Sequence, residues 1–283
     1  MGGTGMSDVA KRRHFWGDVL AFAALAIGAL CMVGPFVWMI STSLKPIAEQ
    51  YDMRLIPQTL TGKNYPRLVE IMPIHLQLLN SLVIAAISTF GQLLTCSMAG
   101  FIFAVVKFPF RNAIFVMLLI TLMVPAQITV IPQFIVFRFL GLYGTQAPLY
   151  IPAFLGGAFG TFLMRQYFTT LPIELAEAAR IDGASLARIF FTIYLPLAKP
   201  ALAAFAIFAF MFSWNDLFNA LIYLPSDMEK TTVTVGLALF QTQYAGQWPL
   251  MMAGSLLAVA PIVIVFFLAQ KYFVAGISMS GLK

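Results

Sequence analysis

Charge is scarce in this sequence, and its scarcity excludes the most common class of protein. The 283 residues include only 28 charged side chains, 17 lysines and arginines and 11 aspartates and glutamates, or 10% of the chain. A soluble globular domain carries about 25% charged and about 45–50% apolar residues. This chain is 60% hydrophobic. The sequence therefore predicts an integral membrane protein.

Cysteine and histidine are also rare, with two of each. Cys31 and Cys96 both fall inside apolar runs, where small side chains in helix packing explain them better than a disulfide framework. His14 and His75 lie far apart without a partner at ligand spacing, so no metal site is predicted. The basic residues form no stripe with interleaved aromatics, so no nucleic-acid partner is predicted.

Catalytic and nucleotide-binding motifs are missing as well. The sequence has no G-x-x-x-x-G-K-[ST], so this chain is not expected to bind ATP through a phosphate-binding loop. It has no nucleophile elbow, no H-E-x-x-H and no pair of intramembrane aspartates. We therefore expect no catalytic residue and no cofactor bound by this chain.

Long apolar runs are what the sequence does contain. A helix of about 20 mostly apolar residues crosses the hydrocarbon core, and about six windows meet that length. They are Val19–Ile40, Asn80–Val106, Ala113–Phe137, Leu149–Tyr167, Ala201–Leu224 and Leu250–Ala269. Since lipid tolerates only internally satisfied backbones, we predict one all-α membrane domain over residues 19–273 with six transmembrane helices.

The lysines and arginines between the windows predict the orientation. With the N-terminus inside, eleven basic residues fall on the inner side and six on the outer side. Both termini are therefore predicted to be cytoplasmic, as a segment of residues 1–18 and a tail of residues 274–283.

One charged stretch interrupts the apolar chain on the predicted cytoplasmic side, ELAEAARIDGASLARIFFTIYLP at residues 174–196. Its first part consists of strong helix formers, and Pro172 suits the first turn of a helix. Gly183 can end that helix in the left-handed conformation, and Ser185 can cap a second one. The stretch therefore predicts a helix, a turn and a second helix before the fifth window.

The second predicted helix is amphipathic. Its apolar side chains recur at three- and four-residue steps: Leu186, Ile189, Phe190 and Ile193. In the first helix, Ala178 and Ala179 predict a low-relief surface that another protein could approach closely. From the residues alone, a protein-docking surface and a helix resting on lipid headgroups both remain open.

The same stretch resembles the EAA loop of ABC-importer permeases. The pattern E-A-A-x3-G-x9-I-x-L-P is met at each defined position, Glu177, Ala178, Ala179, Gly183, Ile193, Leu195 and Pro196. In that family the loop, residues 172–200 here, forms a cytoplasmic coupling helix that docks into a cleft on an ATP-hydrolysing subunit. The resemblance implies an ATPase-docking role for these residues and the fold of a type I ABC importer permease.

Further segments are similar to the carbohydrate branch of that family, which includes the permeases of maltose, glycerol-3-phosphate and trehalose importers. They are STSLKP, IPQFIVFRFLGLYGT, GGAFGTFLMRQYF, SWNDLF and KYFVAG. The resemblance implies ATP-driven, binding-protein-dependent import of a di- or oligosaccharide or of glycerol phosphate across a prokaryotic inner membrane. The implied partners are a second homologous permease, an ATPase dimer that binds ATP and magnesium, an extracytoplasmic solute-binding protein and membrane lipid.

Polar residues inside the windows are the candidates for a solute path. Asp216 is the only acid in the six windows, and Asn215 and Asn219 share a helix face beside it. Gln127 lies between two prolines that permit a kink. Amides there can hydrogen-bond sugar hydroxyls, but an interhelical polar clamp is the favoured alternative for Asp216.

Three further features of the sequence lead to predictions of their own. The G-x-x-x-G of Gly156 and Gly160 predicts close helix packing. The segment Pro225–Pro249 resembles an outer loop that reaches into the binding protein of the maltose importer, with a plain surface loop as the alternative. The tail resembles tails that enter the ATPase dimer interface, although its ISMS departs from their usual pattern.

Two rival functions complete the predictions. An ion-gradient-driven secondary transporter normally has ionisable residues or broken helices at the membrane midplane, and Asp216 alone supports it weakly. A membrane-bound enzyme would need a catalytic constellation, which the sequence lacks.

Overall fold

The computed structural model describes the backbone of residues 5–224 and 227–280, and the side chains of residues 18–224, 227–268 and 270. Within these ranges the chain forms helices and no β-strand, which confirms the predicted all-α class. The predicted N-terminal segment 1–18, which contains His14, and the predicted tail 274–283 lie in part outside the described residues. Pro225, the start of the predicted outer segment, also lies outside them.

Helices follow one another along the described chain, and most connections are short apart from residues 44–63. The α-helices are α1 (Gly5–Ser43), α2 (Asn64–Ile71), α3 (Ile74–Val105), α4 (Arg111–Ile120), α5 (Ala126–Phe139), α6 (Ala147–Tyr150), α7 (Ala158–Phe168), α8 (Glu174–Ile181), α9 (Leu186–Leu197), α10 (Lys199–Trp214), α11 (Phe218–Tyr223), α12 (Val233–Gln243) and α13 (Trp248–Ser280). The 3₁₀ turns are Ile47–Glu49, Thr121–Met123 and Ile151–Leu155.

Four stretches of the described chain are long and apolar enough to cross a membrane: Asp18–Ser43, Ile74–Val105, Ala147–Phe168 and Trp248–Leu268. Two further stretches are bent pairs of helices. Arg111–Met123 meets α5 at 97°, and α9 meets α10 at 82°. Up to six spans result if each bent pair counts as one, so the exact number of six stays a prediction.

The bend in the third predicted window lies at Pro125. Val124 has an extended backbone, with ψ at 117°, because a residue that precedes proline avoids the helical region. Pro132 lies inside α5 without ending it. The kink expected between the two prolines is therefore found at the first of them.

The fourth and fifth windows are not continuous α-helices either. Gly156 adopts a φ of +86°, and this glycine separates the 3₁₀ turn from α7. The fifth window was expected to be one helix over Ala201–Leu224, but α10 ends at Trp214 and α11 begins at Phe218. Both windows thus contain a short irregular segment between two helices.

The described chain divides into two compact units. The larger one combines Val69–Gln243 with the residues from Leu257 onward, and within it α3 packs against α7 and α10. Gly100 permits close approach, because a Cβ there would lie 2.7 Å from the Cβ of Met164. A Cβ on Gly160 would overlap Phe205, which confirms the predicted close packing at this glycine. Gly156 has open space around it and forms the backbone break instead.

The smaller unit combines the residues up to Leu68 with Tyr244–Leu256 and contains a buried cation. Lys45 is 0% exposed, its Nζ donates to the carbonyl of Asp52 at 2.6 Å, and it lies 4.6 Å from the ring centroid of Trp38. The side-chain amide of Asn64 donates to the carbonyls of Ser43 and Lys45 at 2.7 and 2.8 Å. These bonds fix the segment that follows the first span.

Candidate functional site

The turn between α8 and α9 has the geometry that the sequence predicts. Gly183 adopts a φ of +79°, and its N–H donates to the carbonyl of Arg180 at 3.0 Å. The Oγ of Ser185 accepts the backbone N–H of Arg188 at 3.3 Å, which caps α9. Glycine and serine therefore set the angle between the two helices. We call α8, this turn and α9 the helix pair.

The buried side of α9 differs in part from the predicted face. Its buried side chains are Ile189, Phe190 and Tyr194. A π-helical turn at residues 190–194 widens the helix there, so Tyr194 rather than Ile193 is the third buried side chain. Leu186, which directly follows the exposed turn, is 40% exposed. The prediction is right for Ile189 and Phe190 and wrong for Leu186.

Four aromatic rings join α9 to the spans of the larger unit. The ring centroid of Phe101 in α3 lies 5.3 Å from that of Phe190 and 5.0 Å from that of Tyr194. Phe168 in α7 lies 5.8 Å from Tyr194. None of the four side chains is more than 3% exposed. Such aromatic pairs contribute about 0.5–1.5 kcal/mol each beyond their area burial, so α9 is firmly attached to α3 and α7.

The residues of the E-A-A-x3-G-x9-I-x-L-P pattern divide into two groups. The exposed ones are Glu177, Ala178, Gly183 and Pro196. The others, Ala179, Ile193 and Leu195, pack against the hydrophobic core of the larger unit. One group therefore forms the outer surface of the helix pair, and the other attaches it to the spans.

The predicted low-relief surface at Ala178 and Ala179 is wrong for Ala179, which is buried. Together with Ala176, one turn earlier, it faces the core and is only 9% exposed. The exposed surface of α8 instead contains Ala178 and, at its end, Ile181, which is 87% exposed between Arg180 and Asp182. The exposed surface of α8 is therefore charged, with one apolar side chain at its end.

A second feature of the larger unit is a cavity of about 250 Å³ between its helices. Its polar lining residues are Ser88, Gln92, Gln133, Ser213, Asp216, Asn219 and Tyr223. Both irregular segments of the larger unit contribute to the wall, through Gly156 with Gly157 and through Asp216. Irregular backbone at membrane depth is tolerated where it is buried in protein or lines a cavity, which accounts for the two breaks.

Asp216 and Asn219 line this cavity, whereas Asn215 and Gln127 do not. The carboxylate of Asp216 accepts the backbone N–H of Asn219 at 3.1 Å and its side-chain amide at 2.9 Å. These bonds join Asp216 to the first turn of α11 within one segment, and neither is an interhelical clamp. Asn215 is exposed and donates to the carbonyl of Met211. Since α10 ends at Trp214, helical periodicity does not carry Asn215 and Asn219 onto one face.

Sequence reasoning leaves several lining residues out of the solute path. The sequence favours a helix-to-helix hydrogen bond for Gln92, yet Gln92 lines the cavity. Ser88 lies four residues before it in α3, so a polar pair on one face of an apolar span was the available signal. Tyr223 lies four residues after Asn219, so the same spacing pointed to it, but tyrosine is common at span ends and did not stand out. Its hydroxyl is buried and has no hydrogen-bond partner among the described residues. Those residues also contain no group of three His, Cys, Asp or Glu side chains that could hold a metal ion.

The segment predicted as an outer loop, Pro225–Pro249, contains α12. Three polar side chains at the start of α3 contact it, Gln77, Asn80 and Ser81. The Oγ of Ser81 accepts the backbone N–H of Val233 at 2.9 Å, at the first residue of α12. This part of the segment is therefore folded against α3, and its contact with a binding protein stays a prediction.

Broken spans around a polar cavity, with a folded helix pair attached to them, are the architecture of a membrane transport component. The chain belongs to the family of binding-protein-dependent transport system inner membrane components, whose family model matches residues 96–279. That match includes both the helix pair and α11.

Curated relatives extend the similarity over nearly the whole chain. It is 36% identical over 273 residues to the arabinooligosaccharides transport system permease protein AraQ of Halalkalibacterium halodurans, with 95% of this chain and 96% of the relative covered. It is 34% identical over 270 residues to the sn-glycerol-3-phosphate transport system permease protein UgpE of Yersinia pestis, with coverages of 92% and 95%.

A solved structure shares the fold. It is a bacterial ABC transporter involved in the import of the acidic polysaccharide alginate, and the similarity has a TM-score of 0.78 at 25% identity. The alignment covers 96% of this chain and 100% of that chain. The predicted family and the fold of an ABC importer permease are thus confirmed, and the chain is an inner membrane protein.

Proposed function

We propose that this chain is the non-catalytic transmembrane subunit that couples ATP hydrolysis in partner subunits to the import of a sugar or of glycerol phosphate. The relatives named for arabinooligosaccharides and sn-glycerol 3-phosphate support this choice of solutes. In this proposal the helix pair and both termini lie in the cytoplasm.

The observation that carries the proposal is the two-sided character of the helix pair. One side presents Glu177, Ala178 and Ile181 outward, and the other buries Phe190 and Tyr194 among the rings of the spans. A force applied to the outer side would reach α3 and α7 through close-packed contacts, because protein interiors transmit strain. A loop that rested on lipid would have no use for such an attachment.

The mechanism needs four kinds of partner. An ATPase dimer, which binds ATP and magnesium, would hold the helix pair of this chain and the corresponding loop of a second homologous permease. A solute-binding protein would deliver the solute at the outer face, and membrane lipid would surround the spans. ATP can drive the cycle only if its binding favours one arrangement of the docked loops over the other.

The path for the solute would run past the irregular segments of the larger unit. Asp216 and Asn219 lie at one of them, beside the cavity. Asn215 and Gln127, which are exposed in this chain, would reach the path only where the second permease completes it.

Reversal of one surface charge tests the docking role. The variant Glu177→Lys is assembled with its partner subunits in proteoliposomes, and ATP-dependent solute uptake is measured beside Glu70→Lys, an exposed glutamate outside the helix pair. We expect uptake to fall about tenfold in the first variant, the effect of a loss of about 1.4 kcal/mol at the interface.

Two results would overturn the proposal. One is equal uptake by Glu177→Lys, Glu70→Lys and the unmodified chain. The other is uptake that does not depend on ATP and is driven by an imposed ion gradient, which would favour a secondary transporter.

A further inference from the structure

The wall of the cavity in the larger unit is polar and, apart from the carboxylate of Asp216, uncharged. The hydroxyl of Ser213 and the side-chain amides of Gln92, Gln133 and Asn219 each contain both a donor and an acceptor. A sugar hydroxyl also donates and accepts, so the wall matches a hydroxyl-rich solute better than an apolar or an ionic one.

The side-chain amides are the groups of this wall that a solute can reach. Gln133 is exposed and Gln92 and Asn219 are half-buried. Tyr223 contributes its ring, which is 1% exposed and packs edge-on against Phe137 at 5.4 Å, while its hydroxyl is buried. Recognition of a solute in the cavity would therefore depend on the amides.

Charge in the cavity disfavours anions. Asp216 is an acid, and the described lining residues include no lysine, arginine or histidine. The arginine of the fourth span, Arg165, is engaged elsewhere, with its Nε donating to the carbonyl of Phe103 and its guanidinium 4.0 Å from the ring centroid of Phe115. Phosphate sites normally rely on arginine or lysine, so a phosphorylated solute would meet repulsion without compensation.

The volume limits what can enter. Pockets for whole drug-sized ligands measure about 300–1,000 Å³, and this cavity measures about 250 Å³. It therefore suits one unit of a longer solute.

We propose that this cavity is a subsite, belonging to this chain itself, for one uncharged, hydroxyl-rich unit of the solute, and that it discriminates against phosphorylated and carboxylated solutes. The proposal rests on the importer function proposed above and narrows its solute class to neutral saccharides or polyols.

The test uses the importer assembled with its partner subunits in proteoliposomes. ATP-dependent uptake is measured for two sets of probes: neutral ones such as arabinotriose, maltotriose and glucosylglycerol, and anionic ones such as sn-glycerol 3-phosphate and an oligouronate. The neutral probe that is taken up best then serves to compare the variants.

The variants are Gln92→Leu and Gln133→Leu, and the control is Gln166→Leu, the same amide replacement at an exposed position outside the cavity. Loss of one hydrogen bond to the solute should raise the KM for the neutral probe about three- to tenfold in both variants. The control should keep the KM of the unmodified importer. Gln133 is exposed, so Gln133→Leu still tests the subsite if Gln92→Leu does not assemble.

A third variant, Asp216→Asn, tests the discrimination. Asparagine also caps helices, so α11 should persist while the charge is removed. sn-Glycerol 3-phosphate should then inhibit uptake of the neutral probe, which it should not do in the unmodified importer.

The outcomes separate the two proposals. Uptake of anionic probes alone, or KM values in both variants equal to that of the control, would overturn the subsite while leaving the importer function intact. If the assembled complex showed no ATP-dependent uptake of any probe, the importer function itself would be contradicted.

Discussion

Replacement of Gly183 by alanine tests how strictly the turn of the helix pair sets its docking geometry. No atom lies within 4 Å of the position that a Cβ would occupy, so the substitution creates no clash. The φ of +79° is the only obstacle. An L-residue other than glycine pays about 1–2 kcal/mol in this conformation, with less for asparagine.

The consequence for docking follows from that strain. A penalty of 1–2 kcal/mol lowers the population of a conformation about 5- to 30-fold relative to its alternatives. The apparent affinity of a partner falls with the fraction of the competent conformation. Because Ala176 and Ala179 hold α8 on the core, alternative conformations are themselves costly. We therefore expect a loss of about fivefold with alanine, and a smaller one with Gly183→Asn.

The assay is titration of the purified ATPase subunit onto the membrane-embedded permease pair, with binding followed by interferometry. Gly144→Ala is a matched control, because Gly144 has the same φ of +79° and equally open surroundings in another segment. The reasoning would be refuted if Gly183→Ala weakened ATPase binding no more than Gly144→Ala does.

Two further predictions concern stability. Gly160→Ala should lower the free energy of unfolding of the purified protein by about 1–3 kcal/mol, because its Cβ would overlap Phe205 and lie 2.8 Å from the Sγ of Cys96. The double variant with Phe205→Leu should recover part of the loss, since it relieves the first contact and leaves the second; a double variant no more stable than Gly160→Ala alone would contradict this account of the packing. Lys45→Met should destabilise the smaller unit by about 1–3 kcal/mol, because the carbonyl of Asp52 loses its donor. The exposed control Lys63→Met should be nearly neutral in thermal unfolding, and equal effects of the two lysine variants would count against a structural role for the buried one.

Local features of the helix pair could be predicted from the sequence. The left-handed glycine at 183 and the serine cap at 185 depend on the chemistry of single residues and of their immediate neighbours. The same holds for the bend at Pro125, since proline dictates the backbone of the residue before it.

Tertiary packing limited the other predictions. α8 is only two turns long and rich in alanine, so its pattern did not show that Ala179 faces the core. The π-helical turn buries Tyr194 against Phe101 and Phe168, which are distant in sequence and give no local signal. Resemblance to the family supplied the proposed ATPase-docking role of the helix pair. The structure shows which residues of the helix pair attach it to the spans.

The break at residues 215–217 was missed for a different reason. It has neither proline nor glycine, and hydrophobic windows average over a few polar residues. The available signal was the Asn-Asp pair, whose side chains compete with the backbone for hydrogen bonds. Because that break was missed, helical periodicity placed Asn215 beside Asn219, although Asn215 lies outside both helices.

Site-specific crosslinking tests the central claim most directly. A photoreactive group is attached at Ala178→Cys in the outer surface of the helix pair, and at Leu60→Cys as an exposed control in the segment predicted to lie outside. After assembly with the partner subunits, the account predicts a crosslink from position 178 to the ATPase subunit and none from position 60. Crosslinks from position 178 to phospholipid alone would contradict it.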